Sequence, residues 1–159
     1  MEQQQTVIQK PWCGWSKVTF PGLPPFTASY LTLVHIDLMY FINDYFETFE
    51  GEMTIDSEGD VWNIYFADGE IDVQQNDVLT YSLAVDEPYM RELARNTYKD
   101  IVSNLYAWLV WDKEPDEIED EDVDVLCDCL TKTYSNGYPN SNDIPNIKAM
   151  IEEAIASNS

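Results

Sequence analysis

The chain has 159 residues, and its eight Lys and Arg stand against thirty Asp and Glu, a formal net charge of −22. A surface of that sign repels nucleic acid, anionic membrane and acidic substrates. A hydrophobic content of 45% with 13% aromatic residues excludes a permanently disordered acidic tail. The charge therefore decorates a packed body, and it has two readings: solubility, or a surface directed at a basic partner.

One domain around a single core is expected at this length. Residues 1–28 read as an irregular arm packed on the body. Pro11, Gly14, Pro21, Gly22, Pro24 and Pro25 interrupt Trp12, Trp15, Phe20 and Phe26, the candidate aromatic anchors. Residues 29–159 read as a single α+β domain. Leu31, Val34, Leu38, Phe41 or Ile42, Tyr45 and Phe49 recur at three- and four-residue steps, which predicts a helix from about Ser29 to Phe49, capped by Thr27 or Ser29 and ended by Gly51.

The period then changes toward two. Met53 and Ile55, then Trp62, Ile64 and Phe66, then Ile71 and Val73, then a looser stretch from Val78 to Val85 are separated by Ser57-Glu58-Gly59-Asp60 and Ala67-Asp68-Gly69-Glu70. Asp-Gly supplies the positive φ of tight hairpin turns, so an antiparallel meander of three or four strands is predicted. Asp86-Glu87-Pro88 gives a cap and a first-turn proline for a second helix, expected to run to about Trp111. Pro115 is expected to start a third helix, closed around Ser135 to Pro139, and Pro145 to open a short last one. The expected architecture is α+β, a small antiparallel sheet of three to four strands packed against three to four helices.

The densest acidic run holds ten carboxylates between Asp112 and Asp128 against the single Lys113. If helical, it rises about 1.5 Å per residue, close to the roughly 1.7 Å of axis per phosphate charge in B-DNA. That density permits phosphate mimicry, although acids in a first helical turn also suit the helix dipole, and runs of like charge are often only solvated. The expected partner contacts are Asp116, Glu117, Glu119, Asp120, Asp122 and Asp124, followed by Glu58, Asp60, Asp68 and Glu70 at the hairpin tips. Arg91, Arg95 and Lys99, at i, i+4 and i+8, form a cationic stripe expected to meet carboxylates of the chain itself.

Other chemistries lack their residues. Cys127 and Cys129 are separated by one residue and Cys13 is remote, so three reduced thiols are expected. The lone His35 lies beside the apolar stripe of the first helix, which makes it structural, and no metal site or cofactor is expected. A single His, no nucleophile elbow and no glycine-rich phosphate loop leave no catalytic residue to nominate, so the chain is expected not to be an enzyme. No apolar run approaches the roughly 18 residues of a membrane span, and the first ten residues lack the pattern of a secretory signal.

The segment Ser57-Glu58-Gly59-Asp60-Val61-Trp62-Asn63-Ile64-Tyr65-Phe66-Ala67-Asp68-Gly69 resembles the central strand pair of plasmid and phage antirestriction proteins of the ArdB/KlcA type. Pro145-Asn146-Ile147-Lys148-Ala149-Met150-Ile151 is similar to the closing helix of that family. The arm before Phe26 and the run from Asp112 to Asp128 depart from it. The resemblance implies a small mixed α/β fold and a non-enzymatic protein that blocks host restriction of incoming DNA. Together with the charge, it leads to an expected counter-defence inhibitor, cytoplasmic in a bacterial host cell. Its partner would be the basic surface of a DNA- or RNA-binding defence enzyme, with no direct nucleic acid, no membrane and a possible homodimer. An immunity protein that neutralises a basic nuclease toxin and an acidic scaffold or assembly protein are the alternatives.

Overall fold

The computed structural model describes residues 6–158, so residues 1–5 of the expected arm and Ser159 lie outside the described residues. The α+β class holds, with a two-stranded and a four-stranded antiparallel sheet and five α-helices. Trp15–Val18 (β1) and Phe26–Ser29 (β2) pair antiparallel, Trp15 opposite Ser29 and Val18 opposite Phe26. The arm is therefore partly a hairpin rather than irregular. Phe26, Ala28 and Ser29 are buried, and pairing carries the chain through Ser29 in extended form. Consequently α1 spans Val34–Thr48, and its N-cap is Leu33, with no side-chain cap. Phe20 and Phe26 act as anchors, Phe20 edge-on to Phe41 at 5.8 Å and Phe26 against Trp62 at 4.9 Å. Trp12 does not, being 76% exposed.

The main sheet runs in the order β3 (Gly51–Asp56), β4 (Val61–Ala67), β5 (Glu70–Gln75) and β6 (Val78–Ala84). Asp68 and Gly69 both have positive φ, 54° and 78°, the backbone of a two-residue hairpin turn whose twist matches the flanking strands. Asn76 and Asp77, at 50° and 71°, do the same between β5 and β6. Alternation sends Met53, Ile55, Ile64, Phe66, Ile71 and Val73 to one buried face. The opposite face is polar, with Thr54 bonded to Asn63 at 3.0 Å and Ser82 to Asp72 at 2.6 Å.

Helix α1 packs on β3 and sets Tyr45 edge-on to Phe66 at 4.5 Å. Helix α2, Glu87–Val102, starts where the Asp86 carboxylate accepts the Tyr89 N–H at 2.9 Å. The single helix expected as far as Trp111 is divided. Ser103 Oγ and Asn104 Nδ2 donate back to the carbonyls of Lys99 and Asp100, 2.7 and 3.3 Å away, and a short α3, Leu105–Leu109, follows. Helix α4, Asp120–Gly137, packs on α1 and α2, and α5, Ile147–Ser157, packs on α4 and α3. Asn43 of α1 ties to α4 twice, donating to Thr133 Oγ1 at 3.1 Å and accepting from Asn136 Nδ2 at 2.8 Å.

The buried Val7 and Ile8 are held by one carboxylate. Asp100 Oδ2 accepts both of their N–H groups, at 2.7 and 3.1 Å. Burial raises the Asp100 pKa and these two bonds oppose the rise. Asp100→Asn keeps the shape and one acceptor but removes the charge, so a loss of about 1 kcal/mol is expected. Amide hydrogen exchange would read it as faster exchange at Val7 and Ile8; unchanged protection there would show that the clamp is incidental.

Candidate functional site

The expected acidic helix from Pro115 does not form as one face. Pro115–Glu117 is a 3₁₀ turn, Ile118 and Glu119 are extended, and α4 begins only at Asp120. Two local caps divide the run. Glu117 accepts the Glu114 N–H at 2.9 Å, and Asp122 accepts the Glu119 N–H at 2.8 Å. Between them Ile118 turns toward the core and packs there. An even rise of carboxylates along one axis is therefore absent before Asp120.

The charge nevertheless stays on the surface. Asp112, Glu114, Asp116, Glu117, Glu119 and Asp120 are exposed, as are Glu121, Asp124 and Asp128; only Asp122 is half-buried. Asp122 is committed internally, because Lys113 Nζ lies 2.8 Å from it. Burial alone would raise the Asp122 pKa, but the hydrogen bonds from Lys113 and from the Glu119 N–H outweigh it and hold the group below its usual value. The same hydrogen bond raises the pKa of Lys113. Asp124 stands 3.9 Å from Lys148, a solvent-exposed pair of little energetic weight. Of the six expected contacts in this run, Asp116 and Asp120 are thus the least occupied by structural work, whereas Glu119 is the N-cap of α4.

The hairpin tips do not join each other. Glu58 and Asp60 sit in the β3–β4 turn, Asp68 and Glu70 at the β4–β5 turn. The intervening β4 spans seven residues, so about 20 Å of strand separates the tips. All four are exposed, but they belong to opposite ends of the sheet. The cationic stripe meets the chain's own carboxylates only in part. Arg91 pairs with Glu87, yet it also donates to the Asn136 carbonyl at 2.8 Å, and Arg95 donates to the Gly137 carbonyl at 3.0 Å. The stripe mainly caps the C-terminus of α4, whose unpaired carbonyls and dipole favour cations.

The structure also forms a feature with no sequence signal. A cleft of about 160 Å³ opens between the start of α1, the end of α3 and the start of α4. Leu33, Ile36, Leu109, Val125 and Leu126 make its walls, and Asp112, Glu121 and the Lys113–Asp122 pair make its rim. His35 and Trp108 also line it, stacked with ring centroids 4.6 Å apart. Burial lowers the His35 pKa to about 3, so the ring stays neutral at ordinary pH. Its Nδ1 and the Trp108 Nε1 have no hydrogen-bond partner. His35 is thus a buried, neutral ring stacked on Trp108. The cleft is assembled from segments remote in sequence, which is why periodicity could not reveal it.

Cys13 is exposed, Cys127 half-buried and Cys129 buried, and all three are free thiols. Burial raises the Cys129 pKa, which keeps that thiol protonated and inert. Among the described residues, no three of His, Cys, Asp and Glu are placed to share a metal ion, and no helix is long and apolar enough to cross a membrane. Comparison with protein-family models, with curated proteins and with solved structures returns no match for this chain.

Proposed function

We propose that this chain is a non-enzymatic acidic inhibitor, of phage or plasmid origin, that binds and blocks a nucleic-acid-processing defence complex in a bacterial cell. The observation that carries the reading is the cluster of nine exposed carboxylates between Asp112 and Asp128, presented on an ordered body whose only cation in that run is already paired. Such a cluster is complementary to the cationic grooves that nucleic-acid enzymes need in order to neutralise phosphates. The resemblance to antirestriction proteins points the same way. Because the run is broken before Asp120, docking as an acidic patch is favoured over a ruler of evenly spaced phosphates.

Asp116→Asn, Glu119→Gln, Asp120→Asn and Glu121→Gln together remove four exposed charges and leave the Lys113–Asp122 pair intact. Repulsion within the run falls, so folding stability is expected to hold or rise. Phage plating efficiency on hosts carrying individual restriction or other nuclease defences is expected to rise with the native protein. The fourfold variant is expected to lose that protection by more than tenfold, equivalent to about 1.4 kcal/mol of binding. Against the purified defence enzyme, inhibition is expected to weaken as salt screens the carboxylates. Equal protection by the variant, or inhibition indifferent to salt, would remove the carboxylates from the mechanism. Protection only against a cognate toxin nuclease would replace counter-defence with immunity.

A further inference from the structure

The acidic patch surrounds an apolar hole, and the two together define an occupant more narrowly than charge alone. We propose that the cleft between α1, α3 and α4 receives a single apolar side chain from a Lys- and Arg-rich segment of the partner, with the flanking cations of that segment taken by the rim. This rests on the basic-partner reading above and sharpens it to a stated chemistry.

Size comes first. The cleft measures about 160 Å³, and apolar cavities of roughly 150 Å³ hold a benzene-sized group, so a Leu, Ile, Met or Phe side chain fits. Its walls are aliphatic, and Leu33 at its edge remains 42% exposed, continuing into exposed Leu31 and Tyr30. This apolar surface lies beside the most acidic stretch of the molecule.

Charge then selects among occupants. Among the described residues neither Asp112 nor Glu121 at the rim forms an ion pair, because the nearby Lys113 is held by Asp122 and only adds a longer-range attraction to Asp112. Glu114, Asp116, Glu117, Glu119 and Asp120 extend the same sign along the chain. An acidic segment or a nucleic acid is repelled there. A lone Lys or Arg inserted head-first would leave water for the buried neutral His35, Trp108 and aliphatic carbon, at a large desolvation cost. An apolar group on the floor with cations at the rim satisfies both regions. It also matches the usual anatomy of an interface hot spot, a buried anchor ringed by polar contacts that exclude water.

The test uses three synthetic peptides titrated into the full chain at fixed ionic strength, followed by calorimetry and by the tryptophan indole resonances. The probes are Lys-Arg-Lys-Leu-Lys-Arg-Lys, the same peptide with Ser in place of Leu, and an acidic counterpart, Glu-Asp-Glu-Leu-Glu-Asp-Glu. The Leu peptide is expected to bind at least tenfold more tightly than the Ser peptide and to shift the Trp108 indole, with no binding by the acidic one. Leu33→Ser, at a 42% exposed N-cap position where serine is a favoured cap, is expected to bring that ratio below threefold while leaving the Ser peptide unaffected. Val125→Phe, which fills the hole, is expected to do the same. Equal affinity of the two basic peptides for the native protein would overturn the cleft as an anchor site while leaving docking by charge in place. Binding of neither basic peptide would overturn the basic-partner reading itself.

Discussion

Gly137→Ala is expected to destabilise the protein by about 2 kcal/mol or more, in spite of replacing the worst non-proline helix former with the best. Gly137 is the buried last residue of α4, where that helix meets α2. A β-carbon there would lie 2.8 Å from the backbone nitrogen of Arg95 and 3.0 Å from its α-carbon. Both are backbone atoms of α2 and cannot rotate away, so the helices must separate. Separation would also stretch the bond from Arg95 to the Gly137 carbonyl and the one from Arg91 to the Asn136 carbonyl, which close the end of α4. The intrinsic preference for Ala, about 1 kcal/mol, is smaller than the overpacking and the lost bonds. Urea unfolding at neutral pH checks this. A variant as stable as the native chain would show that α2 and α4 are not in close contact at this point.

His35 is expected to make stability fall on acidification, by an amount that a matched variant isolates. Its pKa is about 3 in the fold, because burial penalises the imidazolium, and about 6.5 in an unfolded chain. Between those values the unfolded state binds a proton that the native state refuses, so stability rises with pH across the window and is lost as pH falls through it. The limiting slope is about 1.4 kcal/mol per pH unit, or about 2 kcal/mol between pH 6.5 and 5. Asp37, Asp44 and Asp100 act with the opposite sign, since burial raises their pKa values in the fold and makes the native state the better proton acceptor. Relief of repulsion in so acidic a chain adds to them. His35→Phe keeps an aromatic ring against Trp108 and leaves those groups in place. The native protein should therefore lose about 2 kcal/mol relative to His35→Phe between pH 6.5 and 5, by urea unfolding at each pH. Parallel curves for the two proteins would mean that His35 is hydrated and titrates normally.

Local patterns in the chain were sufficient for the elements whose signal is short-range. The strands around Ile55, Ile64 and Val73 alternate with period two, and Asp68-Gly69 makes the positive-φ turn between two of them. The Asp86 cap sets the start of α2, and the burial of His35 follows from its place beside the apolar stripe of α1. Charge was equally legible, since carboxylates without internal partners remain in water wherever the backbone takes them. Tertiary structure decided what depends on contacts between distant segments. Thr27 and Ser29 were available as helix caps, but pairing with Trp15 and Lys17 made them strand. The stripe of Arg91 and Arg95 found carbonyls at the end of α4, more than forty positions along the chain, and only Arg91 also met a carboxylate, Glu87. Acids of one composition were sorted into separate sites: Asp122 beside Lys113, Glu58 and Asp68 at opposite ends of β4, and Asp116, Glu119 and Asp120 facing solvent. The cleft at Leu33, Trp108 and Val125 exists only because three helices converge there. Propensity and turn chemistry act between residues a few places apart, whereas an ion pair or a cavity depends on which segments the packed core brings side by side.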